Sequence, residues 1–81
     1  MNEFPAELLA YVAQLARMNP AELTPEQPLF ASGIIDSLNL LELVSFVEQR
    51  CGISVGPGDL TLDNWNTLQS IEAYVARMTS R

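Results

Sequence analysis

The sequence predicts an all-α fold: a small four-helix bundle with three main helices, one short helix and a long loop between helices one and two. Three observations predict it. Apolar residues recur every three or four positions in three segments, which is the spacing of one helix face. Prolines and a glycine interrupt that spacing between residues 19 and 36. The 81 residues, 48% of them apolar, can build one thin core, so we expect a single domain over residues 1–81.

The first helix is predicted from about Pro5 to Met18. Proline suits the first turn of a helix because its missing N–H has no helical partner there. An apolar face at helical spacing is formed by Leu8, Val12, Leu15 and Ala16. The pair Asn19–Pro20 should end the helix, because the residue before a proline avoids helical backbone angles.

A long connection follows from Asn19 to Asp36 and contains three prolines and Gly33. Connections of this length in a compact domain are usually functional or packed as a crossover. We expect a short helical turn near Pro20–Glu22. Five apolar side chains should hold the connection against the core, namely Leu23, Leu29, Phe30, Ile34 and Ile35.

The second helix is predicted over Ser37–Cys51, with Asp36 as its N-cap and Gly52 as a left-handed C-cap. The apolar arc at helical spacing comprises Leu40, Leu43, Val44, Val47 and Cys51. Outside that arc or on its edge lie Leu38, Leu41, Glu42, Ser45 and Glu48. Phe46 projects away from the centre of the arc, and the sequence does not indicate what covers it.

The remaining segment begins with a short extended link at Ile53–Val55, followed by a turn at Gly56–Gly58. One short helical turn is expected over Asp59–Asp63, with Asp59 as its cap. The last helix should begin between Asp63 and Asn66. Its apolar positions are Trp65, Leu68, Ile71, Val75 and Met78, and Arg77 and Arg81 lie near its C-terminus, where positive charge is favoured.

The charge and the residue usage argue against several classes of function. The sequence has ten acidic residues and four arginines, with no lysine and no histidine, so its formal charge is −6. We expect no nucleic-acid partner, because such binding needs a basic face. The acidic excess favours basic protein partners, although acids also simply keep a small protein soluble. The lack of histidine removes the commonest metal ligand, so no metal site is expected.

The single cysteine and the first residues bear on where the protein works. Cys51 cannot form an internal disulfide or a Cys/His zinc site, and we interpret it as a small buried apolar residue. This usage suits a reducing cytoplasm. The start, Met1–Pro5, lacks the features of a signal peptide, and no apolar run is long enough to predict a membrane span. The short tails and Met1 predict a free protein, and we expect a monomer.

The stretch Gly-Ile-Ile-Asp-Ser-Leu, from Gly33 to Leu38, places an acid and a serine where the loop becomes a helix. Free backbone N–H groups and the helix dipole favour a phosphate at such a point. Asp-Ser before a helix is also common as a plain cap, so the tripeptide alone is a weak indicator. Three further features surround it: a leucine-rich helix with acids, the exit Cys-Gly-Ile-Ser-Val and a final helix.

Together these features, from about Leu8 to Met78, resemble the acyl and peptidyl carrier proteins. The resemblance implies that Ser37 bears a covalent 4′-phosphopantetheine arm, moved from coenzyme A by a separate transferase with magnesium. The terminal thiol of the arm would hold an acyl or aminoacyl cargo as a thioester. Asp36, Leu38 and Gly33 complete the implied cofactor site. Asp36 is read as a cap and a contact for partner cations, and Gly33 as allowing close approach of the loop or as an ordinary turn residue.

The resemblance also implies that partner enzymes dock on the second helix, at Leu38, Leu41, Glu42, Ser45 and Glu48. Leucines flanked by acids suit a short-lived interface, and a plain solvated face with two half-buried leucines is the alternative. The implied partners are a phosphopantetheinyl transferase, an acyl- or aminoacyl-loading ligase and a downstream synthase or transferase. Two departures bear on the choice of partners: Cys51 stands where the family often has an aromatic residue, and the second helix is less acidic than in fatty-acid carriers.

We therefore expect a free-standing carrier protein without catalytic activity of its own, since no histidine or lysine adjoins Ser37 to activate it. The Gly-Ile-Ile-Asp-Ser-Leu form and the segment Asp63–Leu68 resemble stand-alone aminoacyl and D-alanyl-type carriers. They favour a specialised natural-product or aminoacyl-transfer pathway. Two alternatives stay open: a carrier for fatty-acid synthesis, and an unmodified acidic helical module that binds a basic protein.

Overall fold

A computed structural model describes residues 3–80 of the chain. Its α-helices are α1 (Phe4–Ala16), α2 (Ser37–Cys51), α3 (Leu62–Trp65) and α4 (Leu68–Thr79), and 3-10 turns lie at Pro20–Glu22 and Pro57–Asp59. The predicted all-α class, with three main helices, one short helix and a long loop between α1 and α2, is confirmed. Within residues 3–80 no helix combines the length and the hydrophobicity needed to cross a bilayer.

The first helix ends two residues earlier than predicted. Arg17 adopts a left-handed conformation with φ of 57°, and its N–H donates to the Gln14 carbonyl at 3.2 Å. The N–H of Met18 donates to the Ala13 carbonyl at 2.9 Å. These bonds satisfy the last carbonyls of α1 and turn the chain away before Asn19–Pro20 is reached.

The core is formed by side chains from α1, α2, α3, α4 and the long loop. Trp65 of α3 is 1% exposed, and six aliphatic side chains have no exposed surface: Leu8, Val12, Leu29, Leu43, Val47 and Ile71. Burying one such side chain contributes about 1.5–3 kcal/mol. The loop residues Leu23, Leu29 and Ile35 are buried and Phe30 and Ile34 pack against the core, as predicted. That residues 1–81 form a single domain stays a prediction.

The second helix has the predicted bounds and caps. Gly52 is left-handed, with φ of 68°, and its N–H donates to the Glu48 carbonyl at 2.9 Å. Leu43 and Val47 are buried at the centre of the predicted arc. Phe46, which the sequence left without a neighbour, stacks on Tyr11 of α1 at 4.2 Å between ring centroids. An ion pair between Arg50 and Glu7 also joins the two helices.

The C-terminal segment differs from the prediction in two ways. The last helix is divided, because Thr67 is extended and its Oγ1 accepts the Ser70 N–H at 3.0 Å, which caps α4. Trp65 therefore belongs to α3. The helical turn predicted over Asp59–Asp63 is wrong: a 3-10 turn ends at Asp59, and no side-chain cap from Asp59 is present. Arg81 lies outside the described residues.

Candidate functional site

The start of α2 is fixed by a reciprocal pair of hydrogen bonds. Asp36 is extended, with φ of −120° and ψ of −172°, and its Oδ1 accepts the Asn39 N–H at 3.0 Å. The Asn39 Oδ1 in turn accepts the Asp36 N–H at 3.2 Å. This is a capping box with asparagine as its third residue after the cap. The predicted N-cap role of Asp36 is confirmed.

Because Asp36 caps α2, Ser37 is the first residue of the helix, and the Ser37 hydroxyl does not act as the cap. Ser37 is exposed, and within residues 3–80 its Oγ has no hydrogen-bond partner. The N–H groups of Ser37 and Leu38 are likewise without partners among these residues. A phosphate ester on the Ser37 Oγ would therefore meet two free donors at the positive end of the α2 dipole. The residues present fit a phosphodiester group.

The loop in front of α2 is held to the corner between α3 and α4 by Asn66. Its Oδ1 accepts two backbone N–H groups, from Phe30 at 2.8 Å and from Ala31 at 3.2 Å. Its carbonyl accepts the Leu29 N–H at 2.6 Å. One residue at the α3–α4 corner thus satisfies three successive donors of the loop. These bonds fix the backbone of residues 29–31 in the loop that leads to Ser37.

Gly33 serves the turn before α2 and not a close approach between loop and helix. Its φ is +78°, a backbone angle that residues other than glycine rarely adopt. A Cβ built on Gly33 would meet no atom within 4 Å. Of the two predicted roles, the structure supports the turn, because the strain is in the backbone and the space beside it is open.

A cleft of about 270 Å³ opens beside Ser37. Its lining is apolar apart from two hydroxyl side chains and comprises Phe30, Ser37, Leu40, Leu60, Thr61, Leu62 and Trp65. The cleft therefore brings together the loop, the start of α2 and the segment that leads into α3. A flexible group attached to Ser37 would find an apolar surface within reach.

Asp59 organises the α3 side of this cleft. Its carbonyl accepts the Trp65 Nε1–H at 3.0 Å and the Asn64 Nδ2–H at 3.0 Å. Its carboxylate accepts the Tyr74 hydroxyl at 2.9 Å. Burial raises the pKa of Tyr74, and the bond to Asp59 raises that pKa further. Trp65 and Tyr74 also pack together, with ring centroids 5.6 Å apart.

The predicted docking residues divide into two groups. Leu38 and Leu41 are 73% and 63% exposed, and Glu42 and Ser45 are exposed beside them on the same face of α2. Glu48 is half-buried, and its Oε2 accepts the Val55 N–H at 2.8 Å. Its carboxylate thus holds the exit from α2, a contact that the other four residues do not share.

Several residues of the site were not identified from the sequence. Asn66 sits in a polar segment where nothing marks its side chain as a partner of a loop 36 residues away. Leu60 and Leu62 are 39% and 60% exposed on the α3 bank of the cleft. The one available signal was their position: two leucines outside any long helical pattern have no predicted core face.

The chain matches the family described as "Phosphopantetheine attachment site" over residues 6–75. It is similar to the D-alanyl carrier protein of Bacillus velezensis, with 32% identity over 69 residues, which covers 85% of this chain and 88% of that protein. A second relative is the lincomycin biosynthesis protein LmbN of Streptomyces lincolnensis, 39% identical over 74 residues, or 90% of this chain and 26% of LmbN.

A third relative is the probable acyl carrier protein PigG of a Serratia species, 36% identical over 56 residues, which covers 69% of this chain and 64% of that protein. The family match spans most of the helical bundle described above and includes the start of α2. The all-α fold and these relatives agree. The chain therefore belongs to the phosphopantetheine-attachment family, as an acyl or peptidyl carrier protein whose covalent cofactor is 4′-phosphopantetheine.

Proposed function

We propose that the arm is attached to the Oγ of Ser37 and that the chain acts as a free-standing carrier in a specialised aminoacyl-transfer or natural-product pathway. The arm supplies a thiol that holds the cargo as a thioester. The observation that carries the proposal is the Ser37 hydroxyl, exposed and without a hydrogen-bond partner at the first position of α2.

The residues around Ser37 have distinct roles in this proposal. Asp36 and Asn39 fix the helix start, which leaves Ser37 to the transferase. In the transfer, the Ser37 oxygen bonds to the phosphorus that bears pantetheine and loses its proton to the transferase or to water. The phosphoanhydride bond of coenzyme A breaks, and adenosine 3′,5′-bisphosphate leaves. The free N–H groups of Ser37 and Leu38 then face the negative charge of the new ester. Asp36 carries the same sign as that ester, so we assign it capping and attraction of basic partners.

We place the docking surface for the transferase and for the loading and downstream enzymes on the exposed face of α2 and on the α3 bank of the cleft. Leu38 and Leu41 are exposed on α2, and Leu60 and Leu62 are exposed on the α3 bank of the cleft. Glu42 supplies charge at the α2 side, which favours a basic rim on the partner. Small apolar centres with charged rims suit partners that must bind and leave.

The pathway is proposed from the relatives. The D-alanyl carrier proteins of two Bacillus species are matched over 88% and 97% of their length, which supports a free-standing carrier. LmbN is named for lincomycin biosynthesis, which supports a specialised product. We propose a cytoplasmic location, since a reducing compartment keeps the thiol of the arm free. We also propose that the chain works as a monomer, with its chemistry supplied by its partners.

The test is co-expression with a broad-specificity phosphopantetheinyl transferase, followed by intact-mass measurement. We expect the wild type to gain the mass of one phosphopantetheine group and Ser37→Ala to gain none. Ser54→Ala is the matched control, because Ser54 is exposed but lies after α2. A gain that survives in Ser37→Ala would place the arm on another residue. No gain in the wild type would favour the unmodified interaction module.

Incubation of the holo protein with candidate loading ligases then tests the pathway. An aminoacyl or short acyl adduct is expected in the mass spectrum. Loading by long-chain fatty-acid ligases alone would overturn the specialised pathway and favour fatty-acid synthesis. Circular dichroism of Ser37→Ala should match the wild type, because the exposed Ser37 side chain makes no hydrogen bond within residues 3–80.

A further inference from the structure

The cleft beside Ser37 bears on the size of the cargo, and this inference rests on the proposed function. We propose that the cleft receives the cargo end of the arm when the cargo is a short acyl or aminoacyl group, and that Trp65 closes the way from the cleft into the core. A long alkyl chain attached to the arm would then stay in solvent.

The closure depends on how firmly Trp65 is held. Its indole N–H donates to the Asp59 carbonyl at 3.0 Å, and the Asp59 carboxylate is fixed by the Tyr74 hydroxyl at 2.9 Å. Trp65 is 1% exposed although it lines the cleft, so its ring forms the floor and not a flap over the surface. Swinging the ring aside would leave a buried N–H without a partner, which structures avoid.

The core behind this floor is already filled. Trp65 belongs to the same hydrophobic cluster as Leu8, Leu43 and Ile71, and none of these three has exposed surface. Interiors packed to native density accept extra methylene groups only with strained side chains and shifted backbone. An alkyl chain could therefore enter only by displacing side chains that hold α1, α2 and α4 together.

The cleft itself has room for a small group only. Its volume of about 270 Å³ is below the range of roughly 300–1,000 Å³ found for sites that enclose drug-sized ligands. Leu60 and Leu62 on one bank remain 39% and 60% exposed, so the cleft is shallow on that side. The Thr61 hydroxyl between them offers a polar contact to the amide groups of the arm or to an amino-acid cargo.

The test uses cargoes of graded length. The unmodified protein is incubated with a broad-specificity phosphopantetheinyl transferase and with acetyl-, butyryl-, octanoyl- or dodecanoyl-coenzyme A. Intact mass reports whether each group is attached at Ser37. Absence of any mass gain counts against the proposed function, and the cargo inference would fall with it. When attachment succeeds, the inference is tested separately by the following two readouts.

The first readout is the rate at which hydroxylamine cleaves each thioester. Protection is the cleavage rate of the same acyl-pantetheine free in solution divided by the rate on the protein. We expect dodecanoyl cargo to be no better protected than acetyl cargo. Protection that grows about tenfold or more with length, the shift expected from burying about two CH₂ groups, would overturn the inference. The second readout is the thermal midpoint by circular dichroism, which should not rise with cargo length. A steady rise from butyryl to dodecanoyl would also overturn it.

Two variants test the role of Trp65. Trp65→Leu shortens the floor, and Tyr74→Phe keeps the packed ring but removes the bond that fixes Asp59. Protection of dodecanoyl cargo should increase over the wild type in either variant that folds. Ser54→Ala is the control, since Ser54 is exposed and does not line the cleft, and it should behave as the wild type. Unchanged protection in the folded variants would overturn the assignment of Trp65 as the floor.

Discussion

Replacing Asn66 by alanine tests whether one side chain holds the loop that leads to Ser37. The change removes the acceptor of two loop N–H groups, at 2.8 Å from Phe30 and 3.2 Å from Ala31. A net hydrogen bond contributes about 0.5–1.5 kcal/mol, and the partly buried bond to Phe30 falls at the upper end of that range. Water can replace part of the exposed bond to Ala31. We therefore expect the free energy of unfolding to fall by about 1–2 kcal/mol.

For a domain of this size, that loss lowers the thermal midpoint by about 4–16 °C, as measured by circular dichroism. Hydrogen exchange should accelerate most at the amides of Phe30 and Ala31. Asn66→Asp is the matched control, because it keeps an acceptor oxygen and the Asn66 Nδ2 bonds nothing within residues 3–80. An unchanged midpoint in Asn66→Ala, or equal losses in both variants, would refute the reasoning.

Four further predictions follow from single contacts. Glu42→Lys should slow loading by a basic partner, more so at low salt, and leave the melting midpoint unchanged, because the Glu42 carboxylate bonds nothing within residues 3–80; salt-independent loading would remove it from the docking surface. Glu48→Ala should lower the free energy of unfolding, measured in urea, by about 1–2 kcal/mol, since the Val55 N–H loses its acceptor. Glu48→Gln keeps an acceptor oxygen and should retain most of the wild-type free energy of unfolding. Gly33→Ala should cost about 1–2 kcal/mol at its φ of +78°, whereas Gly58→Ala, outside that region, should be nearly neutral; similar losses would contradict the backbone argument. Finally, the pKa of Tyr74 is higher in the folded protein than in the unfolded chain, so the free energy of unfolding should fall as the pH rises above 10. In Tyr74→Phe the free energy of unfolding should fall less over this pH range, because the tyrosine contribution is absent. Both curves are measured in a Cys51→Ala background, because burial also raises the pKa of that thiol.

The sequence predicted the elements that depend on local chemistry. The bounds of α2 followed from Asp36 and Gly52, whose side chain and backbone freedom set the two ends regardless of distant contacts. The apolar arc of α2 followed from helical spacing, and the buried loop residues followed from their apolar side chains in a long connection. The early end of α1 was missed because Arg17, a residue with no left-handed preference, takes the conformation that glycine usually supplies.

Contacts between distant segments were beyond that reasoning. Asn66 and Phe30 are far apart in the chain, and an asparagine in a polar segment predicts a local turn as readily as a distant acceptor. Asp59 was interpreted as a cap for the same reason, whereas its oxygens accept from Asn64, Trp65 and Tyr74. The α3 bank of the cleft depends on these bonds, so the sequence indicated the serine but not the surface beside it.

The availability of Ser37 depends on which residue caps α2. Serine is itself a good N-cap, and a capping hydroxyl is occupied because it accepts a backbone N–H. Here Asp36 accepts the N–H of Asn39, and the Asn39 side chain accepts the N–H of Asp36. The cap therefore lies one residue before the serine. Ser37 then belongs to the helix, rigid in its backbone and free at its oxygen. A loop serine would be free but mobile, and a capping serine fixed but occupied. The order Asp-Ser with asparagine at the third position after the cap satisfies both requirements of the proposed attachment.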